Sequence, residues 1–149
     1  MGTILKEKMP LKILVVDDDD DILCLVKVHL RQVCEVVVAS NVEQALKALS
    51  EHEFELALID IVLGSNQTSE KIIDYLRSES SHVHYHLPVV VMSAHMTDSY
   101  AENLQQKGLN IYATIRKPLD KKRLCEIVKS VPNRHVLIVD DDPDILGLI

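Results

Sequence analysis

Three carboxylates, a hydroxyl and an ammonium stand where short apolar runs of this chain end. Asp17 and Asp18 follow KILVV, Asp60 follows ELALI, Ser93 follows VVVM and Lys117 follows NIYATIR. Carboxylates gathered in one place repel one another, a cost that falls away when a cation sits among them. Oxygen donors with no His or Cys alongside suit Mg2+, which prefers carboxylates, waters and a phosphate oxygen. A carboxylate is also a competent phosphoryl acceptor, forming an aspartyl phosphate. An ammonium and Mg2+ would neutralise charge on the phosphoryl group in transfer, and a hydroxyl would donate to one of its oxygens. The chemistry these side chains point to is phosphoryl transfer onto a carboxylate.

For that chemistry the five residues must meet, and the elements between them say how. KILVV at 12–16, the β-branched run at 35–39, the run at 55–59, the run from Pro88 to Met92 and that at 110–115 read as strands buried on both faces. Helical spacing recurs between them. Ile22, Leu23, Val26 and Leu30 follow a start at Asp20 or Asp21, with those two acids as the capping residues; Val42, Ala45, Leu46 and Leu49 follow a cap at Ser40 or Asn41. Ile72, Ile73 and Leu76 mark a third helix, residues 98–107 a fourth ending at Gly108, and Asp120–Ser130 a fifth with Leu124, Ile127 and Val128 inward. Residues Gly64–Ser69 read as a polar loop. Five strands alternating with helices predict an α/β domain with a parallel sheet covered on both faces. In such sheets the site lies outside the carboxyl ends of the strands, where Asp17, Asp18, Asp60, Ser93 and Lys117 fall.

Composition narrows the classes. With 149 residues and 47% hydrophobic content there is enough for one compact domain and a remainder. The net charge of −7 argues against direct nucleic-acid binding, which draws its affinity from Lys and Arg contacts to phosphate. No apolar run approaches the ~18 residues of a membrane span, and the first eleven residues lack the long apolar centre of a signal peptide. The expectation is a cytoplasmic protein that does not engage a membrane. Cys24, Cys34 and Cys125 lack any CxxC spacing, and the apolar neighbours of Cys24 and Cys34 predict buried, reduced thiols.

Residues 12–131 resemble a response-regulator receiver domain of two-component signalling, through ILVVDDD (13–19), LALIDIVL (56–63), PVVVMSA (88–94) and RKPLD (116–120) in order. The resemblance implies a flavodoxin-like, doubly wound five-stranded parallel sheet of order 2-1-3-4-5 with five helices. It implies Asp60 as the phosphoacceptor, with Ser93 at the hydroxyl switch position and Lys117 contacting the phosphoryl group. Mg2+ would be held by Asp18, Asp17, Asp60 and the backbone carbonyl of Val62. The implied donor is a phosphohistidine on a sensor histidine kinase or phosphotransfer protein. The implied output is a downstream protein or adjacent domain, read through a surface around the fourth helix and fifth strand; a dimer is compatible with this. Such a protein is a signalling switch that assists its own phosphotransfer and hydrolysis, not a metabolic enzyme.

Some residues depart from the pattern. The position three before the lysine, where receivers carry an aromatic that turns inward, is Thr114; Tyr112, two residues earlier, should share its side of the strand. The loop after Asp60 reads Leu63-Gly64-Ser65-Asn66 in place of the usual Met-Pro and Asp-Gly pairs. These two departures favour an alternative, a receiver-like interaction module that is not phosphorylated. A Mg2+-dependent phosphatase of this topology is a weaker third reading. His95 stands where a side chain tunes the attacking water. His82, His84 and His86 alternate before Pro88, which reads as a solvated connection more readily than as a zinc site.

The opening motif also occurs twice. KILVVDDDDDILCLV at 12–26 aligns with HVLIVDDDPDILGLI at 135–149, Asp17 falling on Asp140 and Asp18 on Asp141. Residues 1–11 therefore read as an extension, 12–131 as the receiver, and 132–149 as a linker and the truncated start of a second receiver repeat. The strand at His135–Val139 is either left without a domain or added to a sheet edge of the same or a neighbouring molecule.

Overall fold

The structure is a computed structural model that describes residues 5–8, 11–60, 62–63, 67–78, 83–94, 102–103, 105–106, 110–132 and 135–138. Its strands are β1 (Leu5–Lys8), β2 (Lys12–Val16), β3 (Glu35–Ala39), β4 (Leu56–Asp60), β5 (Val62–Leu63), β6 (Gln67–Thr68), β7 (Val89–Ser93), β8 (Ile111–Arg116) and β9 (His135–Ile138). Its helices are α1 (Asp20–Leu30), α2 (Val42–Glu51), α3 (Glu70–Arg77) and α4 (Lys121–Ser130).

Five strands form an all-parallel sheet in the order β3-β2-β4-β7-β8, the expected 2-1-3-4-5 arrangement. The reason is visible in β2 and β4. Ile13, Leu14, Val15, Val16, Leu56, Ala57 and Leu58 are fully buried, as central strands covered on both faces must be. Alternation then sorts them into two cores. Leu14, Val16, Ala57, Ile59, Val89 and Val91 pack with α2 and α3; Ile13, Val15, Leu56, Leu58, Val90 and Met92 pack with α1 and α4.

Helices α1, α2 and α4 begin where polar side chains satisfy free N–H groups; Ser69 ahead of α3 makes no such side-chain bond. Asp19, not Asp20 or Asp21, caps α1 by accepting from Asp21 N; the expected caps lie one step inside, in the first turn. Asn41 caps α2 by accepting from Gln44 N, and Asp120 caps α4 by accepting from Arg123 N. The expected helix over 98–107 falls largely outside the described residues; of it, Glu102, Asn103, Gln105 and Gln106 are helical and exposed.

Three expectations are corrected. Cys24 is exposed, because inward positions of α1 are Leu23, Val26 and Leu30 and Cys24 falls on the outer side; Cys34 is buried as expected. The loop after Asp60 carries a small antiparallel pair, with Val62 opposite Thr68 and Leu63 opposite Gln67. The His-rich connection is not simply solvated: His84 is buried, and its Nε2 accepts from Phe54 N at 3.1 Å while its ring lies 5.8 Å from that of Phe54. His86 is exposed, and His82 lies outside the described residues. No zinc-type cluster of His or Cys forms among the described residues. The repeat strand β9 does not join the five-stranded sheet but pairs antiparallel with β1.

Candidate functional site

Asp17 is the residue after β2, and its N–H donates to Ala39 O at 3.1 Å, extending the ladder one step beyond the strand. That bond turns its side chain into the protein, where it is fully buried, and Oδ1 accepts from Asp19 N at 2.9 Å. Asp18, next along, is exposed. Asp60 ends β4 opposite Met92 of β7 and is buried. Ser93 ends β7 and is half-buried; its carbonyl accepts from Lys117 N at 3.1 Å, which ties the end of β7 to the residue after β8. Lys117 precedes a cis peptide bond to Pro118.

Lys117 is the hinge of the electrostatics. Its Nζ donates to Asp60 Oδ2 at 2.9 Å and lies 2.6 Å from Asp17 Oδ2. The second contact is a close ion pair, and Asp17 Oδ2 is the one buried side-chain oxygen or nitrogen among the described residues without a regular hydrogen bond. Burial raises the Asp17 carboxyl above its usual range, against the opposing pull of Lys117 and of the Asp19 amide; the charge of Asp60 adds to the rise. Burial also works against the Lys117 ammonium, but its close pairing with the carboxylates of Asp17 and Asp60 prevails and holds it above its usual range.

Oxygens of Asp17, Asp18 and Asp60 all lie within 4.8 Å of one another. One ammonium faces three carboxylates, so the cluster keeps an excess of negative charge. A small divalent cation fits this set: the donors are hard oxygens, one is buried without a hydrogen bond, and Asp18 opens to solvent. Asp17, Asp18, Asp60 and Lys117, expected from their strand-end positions to meet, stand together, with Ser93 at the adjoining strand end. Val62 lies two residues past Asp60 in β5. Ala94 is exposed, and His95 lies outside the described residues.

The family model described as "Response regulator receiver domain" matches residues 13–129. The chain belongs to the response-regulator receiver family.

Among relatives of this receiver is the heme response regulator HssR of Staphylococcus saprophyticus, 29% identical over 136 residues that cover 91% of this chain and 57% of that protein. Another is the sensor protein GacS of Pseudomonas syringae, 30% identical over 86% of this chain and 14% of its own length. The receiver thus spans little more than half of one relative and a small part of the other. The chemotaxis protein CheY4 of Vibrio cholerae superposes with a TM-score of 0.73 over 83% of this chain and all of its own, at 19% identity, a likeness of fold.

Two features escaped the sequence. Nothing in one histidine among three identifies which is buried; only the N–H of Phe54, two residues before β4, does. Tyr112 does share the exposed side of β8 with Thr114, but its hydroxyl is hydrogen-bonded to Ser130 Oγ at the end of α4, a partner 18 residues away.

Proposed function

We propose that this receiver accepts a phosphoryl group on Asp60 from a phosphohistidine of a sensor kinase or phosphotransfer protein, and thereby switches a surface read by a downstream protein or adjacent domain. What carries the reading is the bridge of Lys117 Nζ between Asp17 and Asp60, with Asp18 alongside. Asp17, Asp18, Asp60 and the backbone carbonyl of Val62 would hold Mg2+. Bound there, Mg2+ supplies charge neutralisation for the phosphoryl oxygens.

The protein's own groups do the rest. Asp60 Oδ attacks phosphorus; the P–N bond to the donor imidazole breaks as the O–P bond forms, and the imidazole nitrogen retains the electron pair. Lys117 exchanges its contact with the Asp60 carboxylate for one with a phosphoryl oxygen, so positive charge is already in place as transfer occurs. The Ser93 hydroxyl donates to a second phosphoryl oxygen. Because Lys117 N is bonded to Ser93 O, movement at either strand end is passed to the other. The added charge near Asp60 is the event that biases the switch.

No helix among the described residues is long and apolar enough to cross a membrane. We infer a cytoplasmic signalling module without metabolic turnover and without direct contact to nucleic acid. Incubation with Mg2+ and acetyl phosphate should add one phosphoryl group to the wild type and none to Asp60→Asn. Equal labelling of both proteins would put the acceptor at another residue; labelling of neither, alongside absent Mg2+ binding, would instead favour the unphosphorylated interaction module.

A further inference from the structure

The doubled motif places the same sequence in two different pairings. In the first copy Ile13, Leu14 and Val15 are fully buried in β2, which has a parallel neighbour on each edge, β3 and β4. Their counterparts Val136, Leu137 and Ile138 lie in β9, which pairs antiparallel with β1 in the register Leu5↔Ile138, Lys6↔Leu137, Glu7↔Val136 and Lys8↔His135.

The connections favour that pairing. Lys8 lies three residues before Leu11 and His135 four after Val131, and Leu11 and Val131 are buried in the same core cluster. The receiver already holds both ends, so bringing the flanking segments together costs little further chain entropy. An antiparallel course follows, because one segment runs towards the domain and the other away from it. A two-stranded ribbon alone is marginal in water; held at both bases it gains from the tether.

A strand edge accepts one neighbour. The opening strand of a receiver takes parallel neighbours on both edges, as β2 does, and β1 occupies one edge of β9 in the opposite sense. We propose that Leu5–Lys8 is a strand clasp for the opening strand of the second repeat, and that clasping withholds this strand from the centre of a second receiver sheet. The N-terminal extension and the rest of a second receiver compete for one edge. This inference rests on reading the doubled motif as another receiver's opening, and not on phosphoryl chemistry at Asp60.

The 149-residue chain in a Cys24→Ser background, which removes its exposed thiol, serves for the test. Cysteines are placed at matched positions, Lys6→Cys with Leu137→Cys and Glu7→Cys with Val136→Cys. A mismatched pair, Leu5→Cys with His135→Cys, is the control. Antiparallel neighbours alternate between about 4.5 and 5.5 Å in Cα separation, both within disulfide reach. Oxidised glutathione is the oxidant: each protein disulfide formed releases two thiol protons and reduces one glutathione disulfide to two thiols.

Matched pairs should close within one chain at least about tenfold faster than the mismatched pair, and amides of 135–138 should exchange about tenfold slower than in Lys6→Pro, which removes a backbone donor from the ribbon. Lys6→Pro should also associate with rising concentration, through the uncovered strand edge. Asp60→Asn should leave closure and exchange unchanged, which separates the clasp from the phosphoacceptor reading. Equal closure rates, disulfides only between chains, unchanged exchange in Lys6→Pro, or a Lys6→Pro variant that stays monomeric would overturn the proposal.

Discussion

Asp17 pays for its position with a carboxyl that burial raises, and this sets what its replacement does. A raised folded value means the folded chain binds more protons than the unfolded one between the ordinary carboxylate range and that higher value. Stability therefore falls as pH rises through that window. Asp17→Asn, free of the ionised form, should raise the melting temperature at neutral pH without added metal, and weaken Mg2+ binding at least tenfold; calorimetry and titration measure the two. Cys34 gives a second linkage. Burial, with a smaller contribution from Cys125, pushes its thiol from 9.0 up to about 11. The unfolded thiol ionises from about pH 9 and the folded one does not, so the fold loses stability as pH rises from 9 to 11. In Cys34→Ala, denaturation midpoints should decline less steeply across that interval. The chemistry of Asp60 and Lys117 was legible in residue type and strand-end position, but the burial of Asp17 beside an exposed Asp18 was not, because it depends on the hydrogen bond from Asp17 N to Ala39 O.

Among the elements, the connection ahead of β7 is fastened at a point that sequence pattern hides. His84 accepts the Phe54 N–H just before β4, so the turn at residues 83–86 is anchored to the strand that carries Asp60 at its far end. His84→Ala should destabilise by about 2–3 kcal/mol, the cost of a buried donor left without its acceptor. His84→Gln, whose amide oxygen still accepts, should recover part of that loss in urea denaturation. The strands and two of the helix starts were legible because apolar runs end in Asp, Ser or Lys and because Asn41 and Asp120 are good caps. The exact cap of α1 was not, since four acids compete there and only geometry selects Asp19. The pair β5–β6 was hidden in polar residues whose pairing no alternation announces.

For the whole molecule, two apolar faces of one sheet, each covered by helices, force all strand ends with a chemical side chain to the same edge. That is why parallel order could be inferred from alternating strands and helices, and why the site followed from the order. The strand at β9 was legible as a repeat of β2, but its partner β1 was not, because four paired residues of an extension have no periodicity to read. The account stands on Asp60 as acceptor, and one measurement addresses it directly. The receiver is phosphorylated with acetyl phosphate and Mg2+, the acyl phosphate is reduced with borohydride, and the digested peptides are sequenced by mass spectrometry. The account predicts homoserine at position 60 and nowhere else; homoserine at another aspartate, with Asp60 unchanged, would contradict it.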